Sequence, residues 1–132
     1  MAGYSGTPLP KKLGIKPGCR LRLDGAPPEL EGLLGPLPDV ARAGGAADVV
    51  VHFTASRAAL EGAFEELKRS IWPAGGLWVA WPKKSSKVPT DITEDVVREI
   101  ALARGLVDNK VCAISEVWSG LRLVYRLSDR KG

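Results

Sequence analysis

Three short stretches carry residue types that could do chemistry together: Asp24–Gly25, His52–Phe53–Thr54 and Trp81–Pro82–Lys83. Each closes an apolar run that reads as a strand. If the three strands lie side by side and parallel, an acid, the single histidine, an aromatic ring and a lysine meet at one edge of a sheet. An acid beside a histidine orients its tautomer and favours its protonated form, which is how general acids and bases are built. Asp24 and His52 are therefore the candidate catalytic pair. A histidine near the end of a buried strand is also a common structural residue, so the pair alone does not define an enzyme. Lys83 and Lys84, with Lys87, Ser85 and Ser86 behind them, form a basic, hydroxyl-rich loop suited to an anionic group. The same loop is what any strand needs on leaving a sheet. Trp81 and Trp118 offer flat apolar walls for a ligand or a partner. Together with Gly25 and Phe53, these residues (Gly25, Phe53, Trp81, Lys83, Lys84 and Trp118) are the expected ligand-binding set.

The elements that must position them are legible in part. "CRLRLD" alternates apolar and basic residues with period two, the mark of a strand. "DVVVHFT" is β-branched and apolar almost throughout, as in a parallel strand covered on both faces. "LWVAW" is another. Between these two strands, Leu60, Phe64, Leu67 and Ile71 recur at helical intervals behind Ser56, a natural cap. Glu61, Glu65, Glu66, Lys68 and Arg69 are left for solvent. Thr93 caps a second helix, with Glu94 and Asp95 in its first turn and Gly105 beyond its end. "PELEGLLG" is a short helix, and a very short edge strand is expected around Val40. "KVCAISEVWSGLRLVYRL" reads as two strands joined by a tight turn at Ser119–Gly120, with Arg122 and Arg126 facing solvent on an outer strand.

This order predicts an α/β fold: a mixed, mostly parallel sheet in a three-layer sandwich, ending in an antiparallel hairpin. The length of 132 residues suits a single domain. Residues 1–18, rich in Gly and Pro but with apolar handholds at Leu9, Leu13 and Ile15, are expected to form an arm packed on the body. Residues 128–132 are expected to be a flexible tail. The sequence shows no apolar segment long enough to span a membrane and no signal-like N-terminus, so the expectation is a cytoplasmic protein without a membrane partner. Cys19 and Cys112 lie far apart, and with one histidine no metal-ligand spacing is present. Two reduced thiols and no metal are expected. The net charge of +4 permits contact with phosphates without demanding it.

The layout resembles the Rossmann-like domain of class I methyltransferases. "LGIKPGCRLRLDGAP" is similar to their opening strand and turn. "PAGGLWVAWPK", followed by "ARGLVDNKVCAISEVWSGLRLVYRL", is similar to their last third, with its reversed terminal strand. The similarity of layout covers residues 13–127. The chain as a whole, with "AGYSGTPLPKKLGIKPG" and "WVAWPKKSSKVPTDITEDVVRE", resembles more closely a bacterial family known only as a domain of unknown function, which implies no activity.

The cofactor machinery that the methyltransferase resemblance implies is not visible. A nucleoside cofactor needs a glycine-rich turn after the first strand. Here the turn is Asp24-Gly25-Ala26-Pro27-Pro28, and its prolines lack amide donors. No acid stands where the ribose would be held, since Arg42 leads into Ala43, Gly44 and Gly45. Only about two dozen residues separate the first strand from "DVVVHF", against ~30 for a single βαβ unit. A strand–helix unit is missing or stunted, and no cofactor is expected, S-adenosylmethionine included.

The favoured expectation is a non-catalytic binding or regulatory Rossmann-like domain. A small molecule or protein would dock in the crevice at the carboxyl ends of the strands. The alternatives are a small enzyme acting on an anionic substrate with His52 as acid or base, a degenerate methyltransferase, and a basic accessory domain on nucleic acid.

Overall fold

The structure is a computed structural model in which residues 8–37 and 39–130 are described. A six-stranded sheet forms its centre, in the order β2-β1-β3-β4-β6-β5. These strands are β1 (Arg20–Asp24), β2 (Ala41–Arg42), β3 (Val49–Phe53), β4 (Gly76–Pro82), β5 (Leu106–Ala113) and β6 (Trp118–Tyr125). The first four pair in parallel. β6 runs antiparallel to both its neighbours, β4 and β5. It is the only reversed strand among those described.

Alternation along each strand sorts the side chains into two cores. On one face Val50, Leu77, Val79, Trp81, Leu121 and Leu123 pack under α3 (Arg57–Ser70) and α4 (Glu94–Ala103). The predicted stripe Leu60, Phe64, Leu67 and Ile71 is fully buried there. Each such side chain contributes about 1.5–3 kcal/mol through removal from water. On the other face Leu21, Val49, Val51, Phe53 and Trp78 pack under α1 (Leu9–Leu13) and α2 (Leu30–Leu34). Trp78 is wholly buried, and its indole Nε1 donates to the Leu13 carbonyl at 3.0 Å. That bond holds the segment around α1 against the sheet.

Ser56 and Thr93 cap α3 and α4 as expected, each accepting from an amide in the first turn. The stunted unit is also visible. β2 has two residues, both exposed, and the chain passes from it to β3 with no intervening helix among the described residues. The sheet therefore ends at β2 on that side.

The C-terminal strands differ from expectation in one detail. The hairpin turn lies between Ala113 and Trp118, not at Ser119–Gly120. Ser119 and Gly120 are inside β6, opposite Trp81 and Ala80 of β4. Ser115 makes the turn by accepting the Val117 and Trp118 amides on its hydroxyl. Gly120 is required by packing instead: a Cβ there would lie 3.0 Å from Ile114 Cδ1 and 3.2 Å from Trp78 Cε3. β6 is consequently an interior strand, and β5 forms the edge. Arg122 is half-buried rather than on an outer strand, whereas Arg126, just past β6, is exposed. A 3-10 turn, Leu127–Arg130, follows, and Arg130 donates to the Tyr125 carbonyl.

Candidate functional site

β1, β3 and β4 are neighbours in the sheet, so their carboxyl ends do lie side by side. Asp24 and His52 are paired in register on adjacent strands. Asp24 Oδ2 lies 3.0 Å from His52 Nδ1. A carboxylate only accepts, so an ionised Asp24 places a proton on Nδ1 and leaves Nε2 of a neutral ring with a free lone pair.

Asp24 is not committed to His52 alone. Its other oxygen accepts from Arg22 Nε at 3.0 Å. Arg22, buried on the α3 side, also forms a fork with Glu66 of α3, at 2.8 and 2.7 Å. Its Nη1 reaches the Gly45 carbonyl as well, at 3.3 Å. The result is a continuous chain, Glu66–Arg22–Asp24–His52, that ties α3 to two strands. Burial works against ionisation of Asp24, but the hydrogen bonds from Arg22 and His52 outweigh it and hold the carboxyl below its usual range. Glu66 is also lowered, chiefly by its bond to Arg22. The sequence left Glu66 to solvent and passed over Arg22; the only signal was a second basic residue inside an apolar strand.

The remaining candidates fall into two groups. Trp81, Lys83 and Lys84 line one cavity of about 360 Å³ with Pro82, Ile92 and Thr93. Trp81 is largely buried in the core under α3 and α4 while contributing to the cavity lining. Gly25, Phe53 and Trp118 form the second group. Gly25 sits at φ +64° with its Cα against the Phe53 backbone: an added Cβ would lie 3.0 Å from the Phe53 carbonyl oxygen. Phe53 meets Trp118 edge to face at 5.2 Å, on the opposite side of the sheet from Trp81. Trp81 and Trp118 therefore do not form a pair of walls. They pair with Ser119 and Pro82, one step out of phase across the β4–β6 ladder, and so project to opposite faces.

The loop after β4 is held firmly. The Lys83 amide donates to the Val117 carbonyl at 2.7 Å, and Ser86 Oγ donates back to the Lys83 carbonyl at 2.6 Å. Thr90 Oγ1 donates to the Ala55 carbonyl. Asp91 accepts the Arg57 amide at 2.7 Å, placing a carboxylate on the amino end of α3. Thr90 and Asp91 were not singled out in the sequence, although Thr-Asp ahead of a capped helix is a turn-forming pair. Glu94, which also lines the cavity, is engaged by Arg98 at 2.6 Å.

No family model and no curated protein matches the chain. Among solved structures, the chain is similar to the crystal structure of magnesium protoporphyrin IX methyltransferase from Synechocystis PCC 6803 with bound SAH. The TM-score is 0.53 at 13% identity, covering 83% of this chain and 75% of that one. The fold is methyltransferase-like. The mixed, mostly parallel sheet with its antiparallel C-terminal strands is the α/β layout expected from the sequence. At that identity it concerns the fold alone.

Cys19 and Cys112 are free, and burial raises the Cys112 thiol above its usual pKa. Among the described residues no group of three or more His, Cys, Asp or Glu is arranged to hold a metal. No described helix is long and apolar enough to cross a membrane.

Proposed function

We propose that the chain is a non-catalytic binding domain whose ligand is a small organic anion with an apolar body. The observation that carries this is the cavity at the carboxyl end of β4. Trp81, Pro82 and Ile92 supply its apolar wall, and Lys83 and Lys84 are among its lining residues. Pockets of this make-up, largely apolar with a few placed charges, are the usual form of small-molecule sites. They recur at the carboxyl ends of parallel strands.

S-adenosylmethionine is not the ligand on this reading. The turn after β1 contains Pro27 and Pro28, which have no amide to offer. Gly25 is occupied in letting the turn lie against Phe53. At the end of β2, Arg42 pairs with Glu31, and the following residues are Ala43, Gly44 and Gly45, with no acid for a ribose. A nucleic-acid role has less support, because Lys83 and Lys84 border the α4 side whereas Arg122 lies on the other face of the sheet.

The test is binding of 1-anilinonaphthalene-8-sulfonate, an aromatic sulfonate, followed by fluorescence. The native protein should bind one equivalent, and the Lys83→Ala/Lys84→Ala variant should lose most of that affinity while unfolding at the same temperature. Equal binding by the two proteins would dispose of the lysine role. Calorimetry with S-adenosylmethionine should show no heat of binding.

One geometric fact favours a second reading, an enzyme with His52 as acid or base: the 3.0 Å hydrogen bond that His52 Nδ1 donates to an ionised Asp24, which sets its tautomer. Against it, neither residue lines the cavity with Lys83, and Asp24 is shared with Arg22. If a turnover assay found a hydrolysed phosphate or carboxylate ester, His52→Gln would have to abolish it for this reading to stand.

A further inference from the structure

A second cavity lies on the opposite face, toward the amino end of β4. It measures about 250 Å³ and is lined by Lys12, Leu13, Gly14, Lys16, Asn109, Lys110 and Arg122. Four of these side chains are cations and none is an acid. The buried Arg22 of β1, by contrast, is paired with both Asp24 and Glu66.

The cleft is built around Arg122. This residue sits in an interior strand, opposite Trp78 on one side and Lys110 on the other. Its guanidinium lies directly over Gly76, where a Cβ would come within 2.5 Å of Arg122 Nε. Gly76 thus clears the space the guanidinium occupies. The only side-chain bond of Arg122 among the described residues is a long one, 3.4 Å, to Asn109 Oδ1. Burial, and then the charge of Arg130, press its pKa below the usual arginine value, yet a guanidinium stays protonated in a protein. A half-buried cation without a carboxylate is an unfavourable arrangement on its own. Lys110 is drawn to the same place by its bond to the Lys12 carbonyl at 3.2 Å.

We propose that this cleft binds a diphosphate group, with Arg122 as its planar donor and Lys110 and Lys16 as point charges. Guanidinium and ammonium groups converging on a pocket of this size match a compact, multiply charged oxyanion. They do not form the extended stripe that a nucleic-acid backbone requires. The cleft is separate from the Trp81 cavity, and the inference does not depend on the function proposed for it.

Titration calorimetry with inorganic pyrophosphate tests it directly. One site per chain is expected, weakening as salt is raised and binding inorganic phosphate less tightly. Lys110→Gln and Lys16→Glu should each reduce pyrophosphate affinity about tenfold or more. Both positions are exposed, so thermal unfolding should be unchanged. Lys83→Ala/Lys84→Ala should leave the affinity intact. A nucleoside diphosphate titrated in parallel separates two sources of the same chemistry: tighter binding than pyrophosphate identifies an esterified ligand, weaker binding the inorganic anion. The proposal is overturned if pyrophosphate shows no saturable binding, or if Lys110→Gln and Lys16→Glu bind it as the native protein does. It is equally overturned if a single-stranded oligonucleotide binds through Lys110 more tightly than pyrophosphate.

Discussion

Arg22 and Glu66 stand 44 positions apart and meet in a two-bond fork, at 2.7 and 2.8 Å, that joins the first strand to the middle of α3. Arg22 is buried and Glu66 is half-exposed, so the arginine depends on its carboxylate partners far more than they depend on it. Arg22→Ala removes the centre of the Glu66–Arg22–Asp24–His52 chain and leaves Asp24 and His52 with only each other. Chemical denaturation should show a loss of about 2–4 kcal/mol. Glu66→Gln, which keeps one acceptor, should lose less than half of that.

Acid should weaken the fold through the same chain. Asp24 and Glu66 both have folded-state values below their unfolded ones. The unfolded chain therefore binds more protons in the acid range, and stability rises with pH there. The contribution is complete above the unfolded carboxylate range, about pH 5, and is lost as pH falls through the lowered folded values. A plot of unfolding midpoint against pH should be flatter below pH 5 in Asp24→Asn than in the native protein. Parallel curves would show that Asp24 gains nothing from its partners.

Asp91 connects the loop after β4 to α3 by accepting the Arg57 amide. Asp91→Ala should reduce stability by about 0.5–2 kcal/mol, the range for a lost helix cap, and Asp91→Asn by less. Because the bond also holds the loop that carries Lys83 and Lys84, Asp91→Ala should weaken anilinonaphthalenesulfonate binding without touching the cavity. Fluorescence titration of the two variants separates these effects.

Gly25 joins a left-handed backbone to a close approach against the Phe53 carbonyl oxygen. Gly25→Ala meets both obstacles, and the atom in the way is backbone that cannot swing aside. A loss above about 1 kcal/mol is expected, from backbone strain plus the shift of β3. Gly44→Ala, where nothing lies within 4 Å of the new methyl, is the matched control and should be nearly neutral.

The strands and long helices could be read from the sequence because local physics decides them. Val49–Val51 are β-branched and buried, Leu60–Leu67 follow the helical repeat, and Ser56 and Thr93 carry their own caps. The Asp24–His52 contact was legible for a related reason: parallel register places the last residues of neighbouring strands together. What escaped depends on distant partners. Ser119–Gly120 looks like a turn, yet Gly120 is fixed by Ile114 and Trp78 across the core. Arg122 looks like an outer-strand charge, because nothing local reveals that β6 inserts between β4 and β5. Lys12, Lys16 and Lys110 are scattered over nearly a hundred positions and become neighbours only through that insertion.

The position of β6 also governs how the molecule is made. β4 and β5 do not pair; β6, which follows both in the chain, lies between them. Until residues 118–125 have emerged, β4 has an open side, and Trp78, Val79 and Leu77 lack the strand that covers them. Between the synthesis of Pro82 and that of Tyr125 the nascent chain therefore carries a strongly apolar strand with one side unpaired.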